Sequence, residues 1–457
     1  MTSIATGQQD ATLQPAERRA IVLATVFRVA GTPVIALAGL VNTAVIVHQT
    51  GEAAFGFVSL VTTLGVLMQF ADQGIGAAVI TACSGTRRLR DDAMAVATVQ
   101  RGMHALSVVA VGAIVISVII MATDSWGSLL GGTTGPADRV AITVAVCLIA
   151  LSVPAAIGIR ILIGLDRNPL AVLLTMSSTV FTLLITLGLK GVGITGIWYA
   201  LSGTAGVLIA NCLATAVALA ISGLGWSVFA RPGAEFEGRK LLRGSIWMFL
   251  VGVGLPLGLQ SHRLILSHVS TAAELSRYAL MAQVYAIIWT VFVTGGMALW
   301  PVFVKRRTDT DASTRLWLRM VAVFGGLSGL AAIGIVVLGP WTTSVISGGE
   351  LVASRSLAVA FAALLVIQCI HFPAGMMLTT PHEARWQAYC VMAMGVTAVA
   401  LGLWWGGMWG GVGVVAAAAV AVAAAQLAPD FVWVPRLLRR RARDIASSSG
   451  GLAPDAR

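Results

Sequence analysis

Charge is what this chain has least of. Only 11% of its 457 residues are Asp, Glu, Lys or Arg, against 57% hydrophobic ones, and its mean hydropathy is +0.89. A soluble domain, which needs roughly a quarter of its residues charged, is excluded, and an integral membrane protein is left. Cysteine is sparse and scattered: Cys83, Cys147, Cys212, Cys369 and Cys390 stand singly, with no CxxC and no His at ligand spacing. They read as small packing residues, not as metal ligands or a redox pair. A GxxxxGK[ST] phosphate loop is missing, so no ATPase is built in and no cofactor is called for. The polar first 17 residues lack the order of a secretory signal peptide, so the first apolar segment is expected to be a retained helix. Loops on the outer side are short, the longest near 123–138, with no acid, base or nucleophile constellation for catalysis.

What the chain does have is apolar runs of spanning length. Twelve lie near 21–47, 57–82, 103–122, 140–163, 169–189 and 192–221, then near 244–267, 278–304, 318–339, 355–378, 386–406 and 408–433. Twelve spans return the chain to its starting face. With the N-terminus in the cytoplasm, outer segments hold only Arg139, Lys190, Arg277 and Arg355, while Arg28 and Arg263 fall inside spans; the other 24 of the 30 basic residues are cytoplasmic. The positive-inside rule then predicts both termini cytoplasmic. The same distribution accounts for the net charge of +11 without nucleic acid: the basic loop 87–90 and tail 436–443 read as anchors on anionic membrane lipids.

The two halves repeat. Arg18 and Arg19 recur as Arg239 and Lys240, Pro33 as Pro256, Phe70 as Phe292 and Pro154 as Pro373, at offsets between 219 and 223 residues. Six spans bring each half back to its own side, so the repeats are parallel, with a substrate site expected between them. The expected fold is an all-α integral membrane protein of about twelve transmembrane helices, in two parallel six-helix repeats around a central cavity. Its divisions are an N-terminal lobe over 1–221, a cytoplasmic linker over 222–238, a C-terminal lobe over 239–434, and a basic tail over 435–457. After Ile445 the Ser, Gly and Pro content reads as disorder.

The residues a membrane should reject gather on a few helix faces. At 100° per residue, Thr25, Arg28, Thr32, Ala36, Gly39 and Thr43 share one stripe of the first span, and Thr62, Gly65, Gln69, Asp72 and Gly76 share one of the second. In the seventh span Ser245, Gly252, Pro256, Gln260, Arg263 and Ser267 do the same. An ionised side chain at such depth costs about 2.5 to 3.5 kcal/mol on insertion scales, so it faces a partner or a water-filled cavity. Arg28 and Arg263 are therefore candidate anion holders at two depths, with snorkelling to headgroups as the alternative. Gln69, Gln73, Gln283 and Thr290 suit sugar hydroxyls, or bridge helices, and Gln260 is a further substrate-binding candidate. Asp72 reads as the one carboxylate clearly inside a span, at nearly the depth of Arg28: a structural ion pair, or a coupling or gating group. His371, on a stripe with Gln368 and Gly375, is a second coupling candidate, against a reading as hydrogen-bonded packing. Pro33, Pro154, Pro256 and Pro373 are candidate hinges.

Thr50-Gly51-Glu52-Ala53-Ala54-Phe55-Gly56 after the first span, followed by Phe70-Ala71-Asp72-Gln73-Gly74-Ile75-Gly76 closing the second, resembles the opening of Wzx-like polysaccharide flippases. These belong to the multidrug/oligosaccharidyl-lipid/polysaccharide exporter superfamily; Gln73 stands where the family wording has Leu. The resemblance implies a transporter of the bacterial cytoplasmic (inner) membrane. It would flip a polyprenyl-diphosphate-linked oligosaccharide or polysaccharide repeat unit to the outer leaflet by alternating access. Its partners would be that lipid-linked glycan and glycan polymerase or glycosyltransferase machinery. An anionic diphosphate fits Arg28 and Arg263. The alternative within the superfamily is a multidrug or cation antiporter, for which several acidic cavity residues are expected; a membrane glycan polymerase or a scaffold is a third reading.

Overall fold

The computed structural model describes residues 15–69, 73–84, 89–132, 135–230, 239–297, 303, 309–378 and 381–450, without the side chains of 15–30, 32, 52, 53, 66–69, 73, 74, 77, 239–245, 248, 249, 297, 381, 382, 384, 442 and 444–450. Among the described residues the chain is helical almost throughout and holds no strand. Two helices are too long for one crossing. α1 (Pro15–Gln69) would extend about 80 Å at 1.5 Å per residue, against a hydrocarbon core of about 30 Å. It turns back at Gly51, whose φ of 73° belongs to the left-handed region that only glycine enters without a Cβ penalty. Gly410, with φ of 56°, does the same inside α14 (Pro381–Val422). Each glycine makes a transmembrane hairpin without a loop.

The second span is completed by α2 (Gln73–Cys83), and α3 (Ala93–Ala122) forms the third. After the short α4 (Trp126–Leu130) come α5 (Pro136–Ala155), α6 (Ile157–Gly164), α7 (Asn168–Gly191) and α8 (Ala200–Ser222). The second half holds α9 (Arg239–Leu259), α10 (His262–Val269), α11 (Ala272–Met297), α12 (Thr310–Ile346) and α13 (Arg355–Met377). It ends with α14, a π-helical turn at Ala423–Leu427, and α15 (Ala428–Gly450). Among the described residues nine stretches are long and apolar enough to cross a membrane. The broken second and seventh spans show only the shorter apolar helices Ala54–Gly65 and Leu250–Leu259, and 385–441 contains two crossings, which gives twelve.

The helices outrun the apolar runs. α3 starts ten residues before its run because the Asp92 carboxylate caps it, accepting from the N–H groups of Met94 and Ala95 at 3.0 Å. α12 starts after Asp309, which accepts from Ala312 N at 2.8 Å, and continues past Pro340 to Ile346. Hydropathy marks only the part of a helix that lies in hydrocarbon; capping sets where it ends. At the C-terminus, where composition predicts disorder after Ile445, helix α15 continues to Gly450.

Large apolar side chains such as Val108, Leu330, Ile333 and Val337 are exposed on the outside, as lipid contact requires. The helices up to α8 pack into one lobe and those from α9 onward into another. One face of the molecule, the terminal face, carries the starts of α1 and α9; the opposite, distal face carries Gly51 and Gly410. At the distal end the lobes share a core in which Ile46, Val47, Phe55 and Val58 of α1 meet Ala279 and Leu280 of α11.

Pro154 ends α5 and offsets it from α6, and α8 braces that break. Asn211 Nδ2 donates to the Ser152 carbonyl at 3.1 Å, the Thr215 hydroxyl donates to the Ala155 carbonyl at 2.5 Å, and Gly158 N–H donates to Thr215 Oγ1 at 3.0 Å. Neighbouring side chains have replaced the backbone bonds that the proline disrupts. Gly158 is required there, since a Cβ would overlap the backbone of Thr215. Thr215→Val keeps the volume but leaves the buried Gly158 N–H unsatisfied, at about 1 to 3 kcal/mol, and removes the bond to the half-buried Ala155 carbonyl. A clear fall in the thermal midpoint of the detergent-solubilised protein is expected; an unchanged midpoint would mean that the brace contributes nothing.

Candidate substrate site between the lobes

Arg263 sits in α10 about 9 Å below the distal end of that helix. It does not snorkel to headgroups. Its Nη1 reaches across to the first lobe and donates to Thr63 Oγ1 at 2.7 Å, and its guanidinium lies over the Tyr278 ring, 5.9 Å from the centroid. Thr63 serves as acceptor here because its own proton is committed to the Ser59 carbonyl at 2.9 Å. Behind the ring, buried His262 bridges the Tyr278 hydroxyl at 2.9 Å and the Gly258 carbonyl at 3.0 Å, which fixes the aromatic platform. The Nε of Arg263 is buried with no hydrogen-bond partner among the described residues, and no described carboxylate pairs with the guanidinium. A half-buried cation held by one hydroxyl and one ring face retains free donors for an anion.

Gln283 of α11 lies deeper, about 16 Å from the distal end. Its Nε2 is 3.6 Å from where a Cβ on Gly39 of α1 would sit, so it faces the first span across the lobe boundary. Gln260 lies half-buried in the break between α9 and α10, four residues after Pro256, and its N–H bonds back to the Pro256 carbonyl at 2.8 Å. Gln260, Arg263 and Gln283 thus come from two adjacent spans of the second lobe; Gly39 of the first span faces Gln283, and Thr63 of the second faces Arg263.

The second span behaves differently from its expected stripe. Thr62 packs against Gly203 of α8 and Gly65 against Ile149 of α5, both within their own lobe. The face turned to the other lobe is one residue round the helix, at Gly56 and Thr63. Helical phase identifies which residues share a face but not which neighbour that face meets. Asp72 lies outside the described residues; Arg28 and Gln69 lie on α1, but their side chains are outside them, and with them the expected pairing of Arg28 with Asp72.

Asp72 is not alone as a carboxylate within a span. Asp430, near the terminal end of the last one, has a side chain only 7% exposed and accepts from His371 Nδ1 of α13 at 2.6 Å. One turn earlier on α13, Gln368 accepts a hydrogen bond from the Tyr285 hydroxyl of α11. Of the candidate hinges, Pro154 and Pro256 mark real interruptions, whereas Pro33 and Pro373 lie inside uninterrupted helices. Sequence reasoning also missed Thr63 and Tyr278. Tyr278 falls outside every polar stripe, and Thr63 is signalled only by its place beside Thr62.

The distal ends of the lobes are closed over this site. Gly56 N–H donates to Ser276 Oγ at 2.9 Å, His268 Nε2 meets the Ser128 carbonyl at 3.1 Å, and the His48 imidazole packs against Gly348.

A family model described as "Polysaccharide biosynthesis protein" matches residues 24–306. Among curated proteins no sequence matches. The fold is similar to that of a multidrug resistance MATE family transporter in an inward-facing conformation, with TM-score 0.69 and 13% identity, covering 92% of this chain and 99% of that one. It is also similar to the lipid II flippase MurJ in an inward closed conformation, with TM-score 0.66 and 11% identity, covering 94% of each chain. A superfamily transporter from Pyrococcus furiosus, described by the reversed polarity of its binding pocket, gives TM-score 0.64 at 13% identity, with 93% and 97% covered. With the family match spanning more than half its length, the chain belongs to the polysaccharide biosynthesis protein family, and nearly all of it shares the fold of the MATE and MurJ transporters.

Proposed function

We propose that this transporter flips a polyprenyl-diphosphate-linked oligosaccharide from the cytoplasmic to the outer leaflet, with the diphosphate held at Arg263. The observation that carries this reading is a half-buried arginine at the lobe boundary, with its Nε buried and unused and no described carboxylate beside it. A guanidinium matches phosphate oxygens in a bidentate fork. Gln260 and Gln283 supply amides for the sugars next to it, and Gly39 leaves room for them. Arg28, at the other end of the first span, serves as a second station for the diphosphate, and Asp72 as its counter-charge. A cationic drug would meet Arg263 with no compensating acid among the described residues and with the Tyr278 face already occupied, which disfavours antiport of cations.

The direction of transport follows from the positive-inside orientation, in which the terminal face is cytoplasmic. In cells depleted of the protein, lipid-linked glycan should accumulate on the inner leaflet and surface glycan should fall, while efflux of cationic dyes stays unchanged. A cysteine replacing exposed Glu350, between α12 and α13, should be labelled from outside in intact cells, and one replacing Asp309 should not. Unchanged surface glycan with lost dye efflux would overturn the substrate; labelling of position 309 from outside would overturn the orientation.

A further inference from the structure

The substrate reading makes no use of a partly buried His–Asp pair in the second lobe. His371 and Asp430 lie in the terminal third of their spans, on helices 59 residues apart in sequence, and meet at 2.6 Å with side chains 22% and 7% exposed. Burying such a pair costs several kcal/mol per ion, and well-packed apolar residues usually stabilise as well, so packing is a weak reason for it. The backbone is also adjusted to create it. Ala428 N–H bonds to the Ala423 carbonyl in the π-helical turn at Ala423–Leu427, which inserts one extra residue three positions before Asp430. An unbroken α-helix would rotate Asp430 by about 100° away from its present direction. Such π-turns gather at functional sites.

We infer that His371 and Asp430 form the proton-binding site of this transporter, and that loading it favours the distally closed state seen here. The inference rests on the reading of the chain as an active transporter, though not on which substrate it carries. The imidazolium with the carboxylate is the tightest form of the pair, so acid holds α13 and the last span together and base loosens them. The pair also connects to the substrate site. Gln368, one turn from His371, is bonded to Tyr285 of α11, the helix that presents Gln283 to the first lobe.

Among the described residues, the other ionisable groups near the pair are accounted for. From α14, Cys390 lies within electrostatic reach of Asp430, and Glu383 is paired with Arg441 of α15. From α12, Arg315 and Arg319 are exposed, as is Arg436 of α15. From α11, Tyr285 is committed to Gln368. Among the described residues this leaves the His371 imidazole and the Asp430 carboxylate facing each other between α13 and the last span.

The test is hydrogen–deuterium exchange of the full-length protein in lipid nanodiscs without substrate, between pH 6 and 8, corrected for the intrinsic pH dependence of exchange. It reads peptides covering 52–65 and 262–280, which carry the distal closure. One linked proton moves the closed-to-open equilibrium by up to about tenfold per pH unit, so protection should fall as pH rises. In His371→Gln and in Asp430→Asn the dependence should vanish, and exchanging the residues (His371→Asp with Asp430→His) should restore part of it. An unchanged pH dependence in both single variants, or none in the parent protein, would overturn the inference. Because no glycan is present, that failure is distinct from a failure of the substrate reading, which glycan export reports.

Discussion

Arg263→Ala is expected to abolish export of glycan while leaving the protein folded and inserted at normal levels. The two halves of that expectation have one cause. Removing one partner of a buried ion pair strands a charge and destabilises by several kcal/mol, but among the described residues Arg263 has only Thr63 and the face of Tyr278. Its truncation removes an uncompensated charge from the lobe boundary, and Thr63 keeps its bond to the Ser59 carbonyl. A phosphate group loses two charge-assisted hydrogen bonds, each of about 1.5 to 3 kcal/mol, so substrate affinity should fall on the order of a hundredfold or more. Arg263→Lys keeps the charge but not the fork, so it should retain partial export. Surface glycan normalised to protein in the membrane decides it: normal export by Arg263→Ala would remove the residue from the substrate site.

The fold was legible in the sequence because it rests on one coarse signal. Apolar length gave the number of crossings, a signal that survives errors of up to ten residues at helix ends, as at Asp92 and Ile346. The site was legible in part. Arg263, Gln260 and Gln283 come from adjacent spans because a membrane permits such residues only where something other than lipid receives them. Asp430 was obscured for a physical reason: it falls near the end of the last apolar run, where an acid looks interfacial, and the π-turn shifts it out of the phase a regular helix would predict. Tyr278 and Thr63 were obscured because neither is costly in a membrane, so nothing in composition separates them from packing residues. Partner choice across helices, such as Thr62 against Gly203 and Thr63 against Arg263, depends on three-dimensional placement and is not a property of either helix alone.

Locking the distal ends of the lobes together should stop transport without touching the substrate site. Alternating access needs this end to open, and the contacts that close it are few and polar at their centre: Gly56 N–H to Ser276 Oγ at 2.9 Å, over the shared core of Phe55, Leu280 and their neighbours. A Cβ at position 56 would fall 2.8 Å from Ser276 Oγ, close to the separation of about 3 Å between a Cβ and the far sulfur of a disulfide. Gly56→Cys with Ser276→Cys should therefore cross-link under mild oxidation. The new Cβ also presses on Leu275 Cγ, 2.9 Å away, so Gly56→Ala carries the same crowding without the bond and serves as the control. Export by the oxidised double variant should fall at least about tenfold below that control, since closure then holds the gating step, and a reductant should restore it. Each single cysteine should behave as the control does. Full export by a protein shown to be cross-linked would mean that the lobes do not part at this end, and the path of the substrate would have to be sought within one lobe.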